Sequence, residues 1–92
     1  MKTRVVNLYK EPYDVYIGRA NKRLGLAESK WHNPYHIGKD GTREQVILKY
    51  VRYLQSSGLL NDIHELKGKI LGCYCKPLDC HGDVLADYAN EK

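Results

Sequence analysis

The feature that most restricts this chain's fold lies near its C-terminal end, in Lys69-Ile70-Leu71-Gly72-Cys73. The run is apolar without alternation, which reads as a strand buried on both faces and placed centrally in a sheet. Directly after it comes CYCKPLDCHGD, and then Val84, Leu85 and Tyr88 at helical spacing. A strand covered on both sides and feeding a helix predicts an α/β layer fold. Asp79 is the expected N-cap of that final helix, which is read as beginning near Cys80.

Other elements follow from local pattern. Thr3 to Leu8 and Asp14 to Ile17 are rich in β-branched and apolar residues and read as two short strands, with Glu11-Pro12 as the break between them. Thr42 and Gln45 form a capping-box pair after the Asp40-Gly41 turn. Val46, Ile47, Tyr50, Val51 and Leu54 then recur at helical spacing until Ser56-Ser57-Gly58 stops the run. That stripe is wide, because Tyr53 adds to Tyr50, so a homo-oligomer in which part of it faces a second subunit stays open. Leu59 to Leu66 reads as a shorter helix. Between Ala20 and Gly41 neither period is sustained, and a stretch that long without regular structure is usually functional.

The 92 residues are enough for one domain, 1–92, and too few for two cores. With 42% hydrophobic and 28% charged residues, wholesale disorder is excluded. The longest apolar runs fall well short of the roughly 20 residues of a membrane-spanning helix, and the charged start MKTRVVNLYKE does not look like a signal peptide. Three cysteines packed into positions 73–80 read as reduced thiols, and the expected compartment is the cytoplasm. Fifteen Lys plus Arg against eleven Asp plus Glu leave a formal charge of +4. That surplus favours an anionic partner, but it is too small and dispersed to favour nucleic acid.

In α/β sheets ligands sit outside the carboxyl ends of the strands. Two such ends carry chemistry here, Gly18-Arg19 and Cys73-Tyr74-Cys75-Lys76-Pro77. At the second, the free N–H groups of Cys80, His81, Gly82 and Asp83 favour an anion, with Gly82 clearing space and Lys76 and His81 adding donors. Arg19 reaches over the strand ends, and Arg43 sits in the first turn of the long helix, where a cation opposes the dipole unless an anion is near. Trp31 and Tyr35 can stack on a base or sugar, although a single Trp is more often a core plug. Asn33 shapes a turn with Pro34 and can read a polar ligand edge. His32, His36 and His64 read as surface or structural residues.

Alternatives remain beside this reading. Cys73, Cys75, Cys80 and His81 are four zinc-type donors, yet Cys-x-Cys is not the usual knuckle spacing and adjacent Cys80-His81 would both have to turn to one ion, so no metal is favoured. Cys75 or Cys80 could serve as a nucleophile, favoured by Lys76 and the helix start, but His81 next in sequence is poorly placed as base. Asp83, with Glu28 as a more distant candidate, would be the acid or base of an enzyme.

The run VYIGR at 15–19, W-x-N-P-Y at 31–35, G-x-R at 41–43 and KGKILGCYCKPLDCHGDVLADY at 67–88 together resemble a family of phage and bacterial proteins catalogued as domain of unknown function 4326. The resemblance covers nearly the whole chain, with His32 departing from the glycine expected before Asn-Pro. It brings no settled activity. Its Cys-His helix start looks like that of small Rossmann-like domains that handle nucleotides or nucleosides, which is fold-level analogy only. The expectation is therefore a small Rossmann-like α/β domain that binds a phosphate-bearing nucleotide or derivative. For a phage protein, that ligand would be a host signalling nucleotide sequestered in the host cytoplasm. The alternatives are an enzyme acting on a nucleotide's N-glycosidic or phosphate bond, and a zinc-stabilised interaction module.

Overall fold

The computed structural model describes residues 1–91. Three parallel strands, β1 (Arg4–Asn7), β2 (Val15–Tyr16) and β3 (Ile70–Cys73), form a sheet in the order β1-β3-β2. β3 is central, as its unbroken apolar run predicts: Arg4 aligns with Ile70 on one side and Val15 with Leu71 on the other. β2 is shorter than the pattern suggests, but Asp14 and Ile17 extend it through backbone bonds to Ile70 O and Gly72 O.

The first α-helix, α1 (Arg43–Ser57), starts on the expected capping box: Gln45 N–H donates to Thr42 Oγ1 and Thr42 N–H to Gln45 Oε1. It buries Val46, Tyr50 and Leu54, one turn apart, and stops at Gly58, whose φ of 84° suits glycine. Leu59–Leu66 is a 3-10 helix rather than an α-helix, and it buries Ile63 and Leu66. The second α-helix, α2 (His81–Glu91), buries Gly82, Leu85, Ala86 and Ala89. The 20–41 stretch is less irregular than its lack of period implies. Asn21 and Leu26 pair in an isolated bridge around a 3-10 turn, Lys22–Leu24, that Asn21 caps.

The core is one cluster in which Ile17, Trp31, Tyr50, Leu54, Leu71, Cys73, Cys80 and Leu85 are all buried. The chain ends are clasped together beside it. Thr3 N–H donates to Asn90 Oδ1, Asn90 Nδ2 donates to Thr3 O, and the buried Thr3 hydroxyl donates to Leu66 O while accepting from Gly68 N–H. No helix among the described residues is long and apolar enough to cross a membrane.

Gly82 does not clear room for a ligand. A Cβ built on it would stand 2.6 Å from Ile17 Cδ1 and 3.0 Å from Val5 Cγ1, so this glycine is what lets α2 lie against the sheet. Gly82→Val should therefore destabilise the fold by about 1–3 kcal/mol through overpacking, read as a lower urea midpoint at unchanged slope.

Candidate functional site

Because all three strands are parallel, the carboxyl ends of β2 and β3 open on the same edge. Outside that edge lies a cleft of about 380 Å³. Its walls come from the segment after β2 (Gly18, Arg19), the irregular loop (Asn33, Tyr35), the first turns of α1 (Arg43, Val46) and the turn from β3 to α2 (Cys75, Cys80, His81). The two chemical strand ends legible in the sequence thus share one hollow.

Arg19 is exposed at the rim, where one guanidinium nitrogen donates to Tyr35 O at 2.9 Å. Arg43 is half-buried and donates to Asp79 O at 2.9 Å, while its charge also faces Cys75. These contacts explain a cation in the first turn of a helix: Arg43 holds the Asp79 carbonyl and faces the Cys75 sulfur across the cleft. The neighbouring Cys73 and Cys80 thiols, with Arg43, hold the Cys75 thiol well below its ordinary range, against the opposing effect of burial. The cluster thus pushes Cys75 towards its thiolate and Cys73 and Cys80 towards their protonated forms.

His81 is neutral, because burial lowers its pKa. Its Nε2 lies 2.8 Å from Ile17 O, which can only accept, so Nε2 carries the hydrogen and Nδ1 is left as a lone pair 3.7 Å from Cys80 Sγ. The ring stands edge-on to Tyr50 with centroids 4.9 Å apart. The pH consequence follows from the sign of the shift. In the unfolded chain His81 takes a proton near pH 6.5, which the folded site resists. The stability from its neutral form is complete above that pH and lost as pH falls below it. Urea midpoints at pH 7.5 and 5 should show a smaller loss in His81→Gln than in the wild type.

Several expected site residues lie elsewhere. Trp31 is 3% exposed and plugs the core beneath the loop, where its carbonyl accepts from the Tyr50 hydroxyl at 2.6 Å. Its ring is not available to stack on a ligand. Lys76 and Asp83 pair with each other outside the cleft. Asp83 Oδ2 also accepts from Cys80 N–H at 3.0 Å, and Cys80 Sγ accepts from Gly82 N–H at 3.3 Å. The helix start is thus capped reciprocally by Cys80 and Asp83, not by Asp79, and the N–H groups of Cys80, Gly82 and Asp83 are occupied by the chain itself rather than offered to an anion. Asn33 lines the cleft, but its amide is spent internally: Nδ2 donates to Val46 O and Oδ1 accepts from Tyr35 N–H. Glu28 stands near His32 at the surface. Among the described residues no group of three or more His, Cys, Asp or Glu side chains is arranged to hold a metal ion.

One part of the site escaped the sequence reading. Tyr16 and Tyr74 stand edge-on on the cleft wall with their hydroxyls 3.1 Å apart. Asn21 Nδ2 donates to Tyr74 Oη at 2.7 Å, and Tyr16 Oη is 2.5 Å from Arg19 O. The Arg19 carbonyl can only accept, so the Tyr16 proton points to it and the Tyr74 proton points to Tyr16. This one-directional chain fixes the backbone from which Arg19 projects. The available signal was composition: with eight Tyr and no Phe, every phenyl ring in the chain carries a hydroxyl.

The family model described as Domain of unknown function (DUF4326) matches residues 2–91. An uncharacterized protein of Acanthamoeba polyphaga mimivirus is 46% identical over 82 residues, covering 78% of this chain; the chain spans 63% of that protein's length. An uncharacterized 12.4 kDa protein from the nrdA-td intergenic region of Enterobacteria phage T4 is 38% identical over 93 residues, covering 95% of this chain and 77% of the phage protein. No solved structure matches.

Proposed function

The chain belongs to the DUF4326 family, a name that assigns no chemistry, and from its cleft we propose that it binds a small phosphate-bearing nucleotide or nucleotide derivative. The observation that carries this reading is the convergence of Arg19 and Arg43 on a hollow outside the carboxyl ends of two adjacent parallel strands. The two guanidinium groups stand in the lining beside Asp79 and Cys75, a polar wall whose cations can seat an anion. Each arginine spends one nitrogen on a backbone carbonyl, which orients the fork and leaves further N–H groups for phosphate oxygens. Val46, Ile47 and the Tyr35 ring supply an apolar wall for a base. The volume lies near the lower end of the roughly 300–1,000 Å³ usual for small-ligand sites, suited to a mononucleotide rather than a polymer.

The parallel sheet with its ligand edge is the basis for the Rossmann-like description, and it is a reading of the same cleft. Relatives in a phage and in mimivirus support a viral setting, in which holding a host signalling nucleotide in the host cytoplasm suits a protein that binds without turnover. An enzyme built on Asp83 or Glu28 has less support, since neither carboxylate lines the cleft. A zinc-stabilised module also has less, because among the described residues no three His, Cys, Asp or Glu side chains are arranged to hold an ion.

The test is a thermal-shift screen against nucleotides, including cyclic and ADP-ribose types. A ligand at a hundredfold its Kd should add about 2.7 kcal/mol, a rise on the order of 10 °C for a domain this size. Arg19→Ala should reduce that rise while leaving the unliganded melting temperature within a few degrees. No rise with any nucleotide would overturn the reading.

A further inference from the structure

Anion binding leaves the three thiols of the cleft floor unexplained. Cys73 closes β3, Cys75 follows in the turn and Cys80 precedes α2; all three line the one cleft, with Cys75 packed against the buried cluster that holds the other two, and none is in a disulfide. Their surroundings differ in ways that assign roles. Cys75 is half-exposed and lines the cleft beside Arg43, whereas Cys73 and Cys80 are 2% and 1% exposed. Cys80 alone has a base at hand, the Nδ1 lone pair of His81 at 3.7 Å, held in place by the Nε2–H bond to Ile17 O. Cys73 is fixed in the middle strand, with its backbone in register with Asn7.

We propose that Cys75 is an oxidation site that reacts with hydroperoxides and is then resolved by Cys80 into an intramolecular disulfide. The Cys75 thiolate attacks the terminal oxygen of the hydroperoxide. An S–O bond forms, the O–O bond breaks, and the departing alkoxide (hydroxide, from hydrogen peroxide) takes a proton from solvent. Sulfur is oxidised by two electrons to a sulfenic acid as the peroxide is reduced. Cys75 then no longer offers a negative acceptor to Cys80, whose proton passes to His81 Nδ1. The Cys80 sulfur attacks the Cys75 sulfur, an S–S bond forms, and the S–O bond breaks. Hydroxide leaves, takes the proton back from His81, and departs as water. The new bond draws Cys80 from its cap on Gly82 N–H and removes the anion facing Arg43, so oxidation rebuilds the cleft whatever that cleft binds.

Hydrogen peroxide is added to the purified full chain, and intact mass is measured with and without dithiothreitol. The expected result is loss of the mass of two hydrogens, restored by reductant, in the wild type and in Cys73→Ser, with no such loss in Cys75→Ser or Cys80→Ser. In Cys80→Ser, dimedone should trap one sulfenic acid, mapped to Cys75. Circular dichroism confirms that each variant is folded, and the wild-type mass and dimedone adduct decide the matter if Cys73→Ser is not. An unchanged wild-type mass, a linkage that survives in Cys80→Ser, a disulfide between two chains, or dimedone on another cysteine would each overturn the proposal.

Discussion

Replacing Tyr50 with alanine is expected to cost about 3–5 kcal/mol of folding stability, a large share of the 5–15 kcal/mol a single domain typically holds. Tyr50 is fully buried in α1 and does three things at once. It fills the core among Leu54, Leu71 and Leu85, its hydroxyl pins the irregular loop by donating to Trp31 O, and its ring supports His81. Tyr50→Phe separates these roles. It keeps the volume and the ring contact but leaves the Trp31 carbonyl without its buried donor, at a cost of about 1–3 kcal/mol. Urea unfolding should rank wild type above Tyr50→Phe and Tyr50→Phe above Tyr50→Ala. If Tyr50→Phe matched the wild type, the loop would not be held by the hydroxyl.

Arg43→Ala is expected to weaken binding of any phosphate-bearing ligand found in the screen by at least about tenfold, in keeping with the roughly 1.5–3 kcal/mol of a charged hydrogen bond. The same change should make Cys75 less acidic, because one of the groups stabilising its thiolate is removed. The two readouts are separate: isothermal titration gives the affinity, and iodoacetamide labelling across pH gives the thiol titration, whose midpoint should move upward. Arg52→Ala, on the same helix but outside the cleft, should change neither. If the Arg43 substitution shifted the thiol but spared affinity, the phosphate would have to be held by Arg19 and the backbone.

How much of this was legible in the sequence depended on distance along the chain. The α1 capping box was visible because Thr42 and Gln45 are three residues apart and their chemistry is complete between them. β3 was placed centrally because burial on both faces removes alternation from the strand itself. Arg43 was picked out because a cation in a helix's first turn bends a local rule, and Arg19, Cys75 and His81 because they follow strand ends or open a helix. One error is local: Asp79 is a plausible cap until Asp83, three residues on from Cys80, is seen taking its N–H. The other errors fall where an outcome turns on contacts between distant segments. Gly82 suits a ligand until Ile17 and Val5 are found against it. Trp31 suits a base until the core claims it. The Tyr74-to-Tyr16 chain joins residues far apart in sequence, and no local period carries such a link.

The strand order has a consequence for how the molecule comes into being. β1 and β2 do not pair with each other; both pair only with β3, so Arg4 waits for Ile70 and Val15 for Leu71. During synthesis from the N-terminal end, the sheet has no hydrogen-bonded pair until most of the chain has left the ribosome. Until then the early strands are open edges, and the hollow that depends on them does not exist. Contacts of such long sequence separation slow folding, so a messenger truncated before β3 would yield a sticky, siteless fragment rather than a weaker version of the domain.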